Sequence, residues 1–354
     1  MNRMPIAPMG VGKLLDKSFS VYRQHFGAFF LLALIWFGPF LLLQQLLLVD
    51  LTRVPLLAQN TEGMDFAESL GARFAGQEEF MTQSLPMLLI FIFLVAPLLM
   101  VVAYPQMISG SILLTKAALE GEALSLKDAL KGPLRRFWPL AGSTFVYGLI
   151  VFALTTAFVI VYGLFIVLIA VAGGMSFETM FDPSDESSVV FMIVLFIFGY
   201  LFLIAGMMLV PGFFLLRWGF YMPLVLFERD GIGIGQSWNL TKGNFWRLFG
   251  IFVVLSVIYS MFSSGMQLVL TGVLGTSILA QIILVVLTCL LMPWMSIVYA
   301  LAYFDLRVRK DGSDLQELVS RQLATSAPEN TPVAPETTSA VPSTPTQEPG
   351  VRHD

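Results

Sequence analysis

Cysteine occurs once in the 354 residues, histidine twice, and charged side chains make up only 12%. Each scarcity excludes something. A lone cysteine, Cys289 in an apolar run, permits no disulfide framework and no thiolate metal site within the chain. It reads as a small core side chain. His25 and His353 are too few to build histidine-based metal or acid–base chemistry. A soluble domain carries about 25% charged residues, so a chain this poor in charge cannot cover a water-facing surface of its own.

What the sequence has instead is apolar residue, 56% of the chain, with a mean hydropathy of +0.80. It comes in charge-free runs at 27–49, 85–114, 139–173, 189–216 and 248–304. A helix needs about 20 residues to cross a hydrocarbon core of about 30 Å. The last run, as one helix, would be about 85 Å long at 1.5 Å per residue. It has to fold back, and Thr271-Gly272…Gly275-Thr276-Ser277 supplies the turn. The expectation is an all-α integral membrane protein with six transmembrane helices. The first run follows the mixed segment 1–26 and is long enough to span, unlike the short h-region of a cleaved signal.

Charge placement predicts the orientation. Lysines and arginines gather before the first run (Arg3, Lys13, Lys17, Arg23) and between the second and third (Lys116, Lys127, Lys131, Arg135, Arg136). They gather again between the fourth and fifth (Arg217, Arg229, Lys242, Arg247) and after the last (Arg307, Arg309, Lys310, Arg321, Arg352). Only Arg53 and Arg73 fall elsewhere, in a first outer loop with six acids. The third loop has Glu178, Asp182, Asp185 and Glu186 and no base. The positive-inside rule makes the basic side cytoplasmic, with both termini on it. All charges lie outside or at the ends of the runs. Proton- or ion-coupled transporters usually keep an ionisable group inside the membrane, which lowers that reading.

Short segments ahead of the odd-numbered runs resemble one another. Ser18-Phe19-Ser20-Val21-Tyr22-Arg23-Gln24-His25-Phe26 and Ser237-Trp238-Asn239-Leu240-Thr241-Lys242-Gly243-Asn244-Phe245 share serine, aromatic, aliphatic, base and phenylalanine at a constant offset of 219. The segment 124–138 has similar character without clean alignment, and Ser125 with Asp128 resembles a capping box. The expectation is three helical hairpins, each introduced by a cytoplasmic amphipathic helix lying in the interface. The parts are then a cytoplasmic amphipathic entry segment at 1–26, a six-helix domain at 27–304, a cytoplasmic amphipathic helix at 305–323, within which Ser313 and Gln316 open a stretch with capping-box spacing, and a tail at 324–354. The tail is Pro, Thr, Ser, Ala and Glu, too poor in apolar residues to order itself. A short helix over 66–80 fits the first outer loop.

Other patterns carry less. Gly231-Ile232-Gly233-Ile234-Gly235 has the wrong spacing for a dinucleotide loop and no strand before it, and predicts a turn and helix start. Asp182, Asp185 and Glu186 read as solvated loop acids. Pro39, Pro97, Pro105, Pro211 and Pro293 fall inside spans, where neighbours must satisfy the carbonyls they free.

Three stretches together point to a family. They are Leu15-Asp16-Lys17-Ser18-Phe19-Ser20-Val21-Tyr22-Arg23; Arg217-Trp218, Pro223, Glu228, Ser237, Leu240 and Gly243-Asn244-Phe245-Trp246-Arg247; and Tyr303-Phe304-Asp305-Leu306-Arg307-Val308-Arg309-Lys310-Asp311-Gly312 before Asp314-Leu315. In this order they resemble the glycerophosphoryl diester phosphodiesterase membrane domain family of bacteria, over most of residues 10–320. The resemblance implies a stand-alone membrane region without the metal-dependent catalytic barrel found in some relatives.

The sequence therefore reads as a non-enzymatic polytopic protein of a bacterial cytoplasmic membrane, a scaffold, partner or lipid-interacting component. The alternative is a permease for a neutral or lipid-like substrate, through a cavity lined by proline-kinked helices. A membrane-embedded hydrolase lacks the converging acids or histidine it needs. No catalytic residue, metal, cofactor or nucleic-acid partner is expected. The expected partners are membrane lipids and a protein at the cytoplasmic face, met by Lys17, Arg23, Arg135, Arg136, Lys242, Arg247, Arg307 and Arg309. Asp305 with Arg307 and Glu228 with Arg229 are expected to pair at helix ends.

Overall fold

The computed structural model describes residues 9–48, 71, 85–123, 125–172, 189, 195–227, 231–275 and 277–326. Among these every regular element is helical. In chain order the helices are α1 (Val11–Gln24), α2 (Phe26–Leu48), α3 (85–120), α4 (Leu126–Leu134) and α5 (Phe137–Ala172). There follow α6 (195–218), α7 (Tyr221–Phe227), α8 (Ile234–Leu240), α9 (Phe245–Leu274) and α10 (Ile278–Ser326). Six stretches are long and apolar enough to cross a membrane: α2, α3, α5, α6 with α7, α9 and α10. Their outer surfaces agree with that. Phe93, Phe152, Phe198 and Met261 are each more than two-thirds exposed. A water-soluble monomer rarely shows more than a few hundred Å² of contiguous apolar surface.

The last apolar run folds back at the expected place. The helix α9 stops at Leu274 and α10 starts at Ile278, with Gly275 between them at φ +57°. Only glycine takes that conformation without strain. Ser125 caps α4, its hydroxyl accepting the Asp128 N–H at 3.2 Å, which satisfies one of the four orphan donors at a helix start. The glycine-rich stretch is also the turn and helix start expected of it. Gly233, at φ +75°, precedes α8, and a Cβ there would lie 2.9 Å from the Tyr221 carbonyl oxygen.

Two expectations are corrected. No new helix begins at Ser313, because α10 continues to Ser326. Gly312 costs a helix interior only about 1 kcal/mol, too little to stop it. The chain divides at Lys310 into two compact units, and in the second the described residues are 311–326 of α10. The second correction concerns Asp305, below. The outer-loop helix at 66–80 (Gly71 apart), the acids at 182–186, the Glu228–Arg229 pair and the tail from 327 lie outside the described residues.

The prolines leave a visible mark on α3. Its first segment, Leu85–Ile90, gives way to π-helical turns at Phe91–Val95 and Leu99–Ala103, with Pro97 between them and Pro105 just beyond. Proline cannot donate to the carbonyl four residues earlier, and wider turns accommodate the mismatch.

The larger buried cluster lies where the basic residues collect. There Leu14 of α1, Phe29 of α2, Ile112 of α3, Ala129 of α4, Phe220, Leu240 of α8, Leu248 of α9 and Leu301 of α10 form one buried cluster. The long helices α2, α5 and α9 each begin at a phenylalanine, Phe26, Phe137 and Phe245, and each follows a short helix. Some buried positions recur at the same spacing across the three, though Leu14 and Val21 are buried where Ser125 and Gly132 are only partly so. Ser18, Ala129 and Ser237 are buried, as are Tyr22, Pro133 and Thr241, and Phe29, Leu140 and Leu248. Phe29 and Leu248, both buried, keep the spacing of 219.

Helix α1 docks through Leu14, Ser18, Val21 and Tyr22, one helical face. Tyr22 Oη donates to the Leu290 carbonyl and Trp294 Nε1 donates to Ser18 Oγ at 3.0 Å. Both contacts flank Pro293, where the α10 ladder is interrupted. Burial pushes the Tyr22 hydroxyl from the usual 10 to about 12. Because the folded state holds the proton more tightly, this contribution is complete below pH 10 and is lost as pH rises through about 12. Tyr22→Phe is expected to lower the thermal midpoint at pH 7.5 and to flatten its decline between pH 10 and 12. Unchanged alkaline sensitivity in the variant would show that Tyr22 is not the group involved.

Candidate functional site

A cavity of about 350 Å³ lies among the spans and is touched by all six. Its size is that of a small-ligand pocket. Phe37 comes from α2, Tyr104, Met107 and Ile108 from α3, and Tyr147 from α5. Leu215 and Leu216 come from α6, Phe252 and Leu255 from α9, and Met292, Met295, Ser296 and Tyr299 from α10. Gly219 to Met222, across the α6–α7 junction, close one side. Pro39, Pro105, Pro211 and Pro293 each lie within a few residues of a lining side chain, while α5 and α9 border the space with no proline beside it.

Most of the polar groups in this wall are already used. Tyr147 Oη donates to the Leu215 carbonyl at 3.1 Å and Tyr299 Oη to the Gly219 carbonyl at 2.6 Å. These carbonyls lie at the end of α6, where the helix can no longer satisfy them. Tyr221 Oη meets Thr144 Oγ1 at 3.1 Å, and Ser296 Oγ donates to the Pro293 carbonyl at 2.7 Å. Tyr104 is the exception: it is partly exposed, and its hydroxyl has no protein partner among the described residues. The cavity thus offers thioether, aromatic and aliphatic surface with one free hydroxyl, and no charge. Methionine and aromatic surface of this kind adapts to irregular apolar shapes.

The eight expected basic contacts separate into two groups. Lys17, Arg23, Arg135 and Lys242 are exposed. Arg136, Arg247, Arg307 and Arg309 are partly buried and bonded within the protein. Arg136 Nη1 donates to the Val225 carbonyl at 2.5 Å, capping α7. Arg307 Nη1 donates to Tyr303 Oη at 2.9 Å. Arg247 and Arg309 are the partners of Asp305, which is fully buried, at 2.6 Å and 2.9 Å. This is the second correction: the pairing expected with Arg307 goes to Arg309, which four residues along the helix shares a face with Asp305, as a residue two along does not. The same cluster holds the chain ahead of α1. Met9 N–H donates to Asp305 Oδ1 at 2.6 Å, and the Met9 carbonyl accepts from Arg247 at 2.6 Å and Arg309 at 3.0 Å.

Residue types alone did not single out Arg217, Gln106 or Ser109. Gln106 is fully buried and both ends of its amide lack a partner among the described residues, as does Ser109 Oγ. Their signal in the sequence is weak: two uncharged polar residues three apart inside an apolar run.

Six apolar spans around a shared cavity, with basic clusters at one end, define a multi-pass helical membrane protein. Residues 39–306 match a family described as a domain of unknown function (DUF7847), and the chain belongs to that family. No curated protein and no solved structure matches the chain.

Proposed function

We propose that the protein is a non-enzymatic, lipid-interacting component of a bacterial cytoplasmic membrane that holds one uncharged, lipid-like molecule in its central cavity. The observation that carries this is the cavity itself, apolar, bordered by every span and equipped with the free Tyr104 hydroxyl for a single acceptor on the ligand. A charged ligand has nothing there to pair with. The termini and the four exposed bases lie on the cytoplasmic side, where each base near an anionic surface contributes about 1 kcal/mol and where a protein partner would dock. Three hairpins, each led by an interfacial helix, belong to this reading, and the burial of Ser18, Ala129 and Ser237 supports it. The likeness to glycerophosphoryl diester phosphodiesterase membrane domains belongs to this proposal as well. On that reading the chain is a stand-alone membrane region without the enzyme.

Native mass spectrometry of the full chain, gently extracted, tests the assignment. The wild type is expected to retain one neutral lipid-like molecule. Ser296→Phe, which fills the cavity, is expected to cut its occupancy about tenfold or more, equivalent to about 1.4 kcal/mol, while Ser296→Ala retains it. Equal occupancy in the phenylalanine variant, or no apolar ligand on the wild type, removes the cavity from the account.

A second reading, passage of a neutral or lipid-like substrate, is favoured by the prolines and π-helical turns beside the cavity. Transfer of such a molecule between leaflets of reconstituted vesicles, abolished by Ser296→Phe, would select it over static binding.

A further inference from the structure

Arg217, near the end of α6, is 9% exposed. Its neighbours are unusual for a buried cation. The guanidinium lies 4.0 Å from the Trp238 ring centre and 5.5 Å from that of Phe213. Nη2 donates to the Trp238 carbonyl at 3.3 Å, and buried Nε has no partner. Among the described residues no carboxylate pairs with it. The backbone here is fixed from the other side, since Ser237 Oγ donates to the Arg217 carbonyl at 2.8 Å and Thr241 Oγ1 does so at 3.3 Å.

These contacts do not balance the charge. Removing an ion from water costs several kcal/mol even after relaxation. Aromatic faces return about 2 kcal/mol when desolvated, and one long hydrogen bond adds little. Asp305 shows how this chain treats buried charge elsewhere, with opposite charges in contact. What Arg217 lacks is an anion that the protein itself does not provide among its described residues. Half-buried Trp218 and Trp238, with rings 5.7 Å apart, are the residue type that settles at headgroup depth. Exposed Lys242 directly follows Thr241. Nε is enclosed, so the N–H groups left for a phosphate oxygen are those of Nη1 at the open end of the guanidinium, as charge-assisted hydrogen bonds.

We propose that Arg217 binds the phosphate of an anionic membrane lipid, with Trp238 and Phe213 holding the guanidinium in place. The site needs the membrane placement of the chain but not the cavity ligand. It lies on the α8 side of α6, whereas Leu215, Leu216 and Gly219 border the cavity.

The test uses the full chain in nanodiscs of equal parts phosphatidylglycerol and phosphatidylcholine, followed by native mass spectrometry of the lipids released with it. The wild type is expected to retain phosphatidylglycerol preferentially. Arg217→Met, which keeps length and packing, is expected to reduce that preference about fivefold, the equivalent of about 1 kcal/mol for one base at an anionic surface. Arg217→Lys is expected to restore part of it, and Ser296→Phe to leave it intact. Should Arg217→Met fold poorly, Arg217→Lys decides: the rise in thermal midpoint from phosphatidylcholine to phosphatidylglycerol is expected to be smaller in it than in the wild type, with no change in either on adding inorganic phosphate. A gain from inorganic phosphate instead would mark a soluble-anion site. Equal lipid preference in wild type and Arg217→Met overturns the proposal.

Discussion

Asp305→Ala is expected to destabilise the protein by about 3 kcal/mol, near the lower end of what breaking a buried ion pair costs. Asp305 is wholly enclosed, while Arg247 and Arg309 keep part of their surface, so water offsets some of the unpaired charge they are left with. The loss extends beyond the pair. Asp305 Oδ1 accepts the Met9 N–H, and the two arginines that it orients hold the Met9 carbonyl. The segment before α1 should come free, and trypsin should cut ahead of α1 far faster than in the wild type. Arg309→Gln, removing the more exposed partner, is expected to cost much less. Equal midpoints and equal cleavage rates for Asp305→Ala and wild type would mean that the cluster holds nothing.

Gly110→Ala is the second large effect, at about 1–3 kcal/mol for overpacking a close-fitted interior. A Cβ at Gly110 would stand 2.8 Å from the Ala129 carbonyl oxygen of α4 and 3.0 Å from a Leu32 methyl of α2. The first of these is backbone and cannot swing aside. Small residues let membrane helices approach this closely, and Gly110 lets α3 meet α2 and α4 at once. Gly142→Ala is the control. It lies in α5 with nothing within 4 Å of the added carbon, and alanine in an unstrained helical site is neutral or stabilising by about 0.4–1 kcal/mol. Matching thermal midpoints for the two variants would contradict the tight contact.

The elements were readable from the sequence where one strong physical signal governs them. Charge-free runs longer than a bilayer needs gave the spans, and the 57-residue run at 248–304 had to turn at its glycines, as it does at Gly275. Gly233 and Ser125 were readable because a positive φ and a helix cap each demand particular side chains. The cavity was not. Helices such as α2 and α5 are apolar on every side, so no stripe of residues marks the inner face, and Met292 looks the same in sequence whether it meets lipid, protein or empty space. The partners of Asp305 were missed because Arg247 and Met9 reach it only through the tertiary fold, while its nearest base in sequence, Arg307, was the obvious choice. Arg217 was counted as one more topological charge, since burial under Trp238 depends on how α8 packs against α6.

The central claim is a chain that crosses the membrane six times with its basic clusters together on the cytoplasmic side. Labelling of single introduced cysteines with a membrane-impermeant maleimide tests it directly, because Cys289 is fully buried and should stay silent. Glu122→Cys and Asn239→Cys are expected to react in inverted membrane vesicles and not in intact cells, and Thr276→Cys to react in intact cells only. Labelling of 122 and 239 from opposite sides, or of 276 from the same side as both, would contradict the topology on which the cavity and the lipid sites depend.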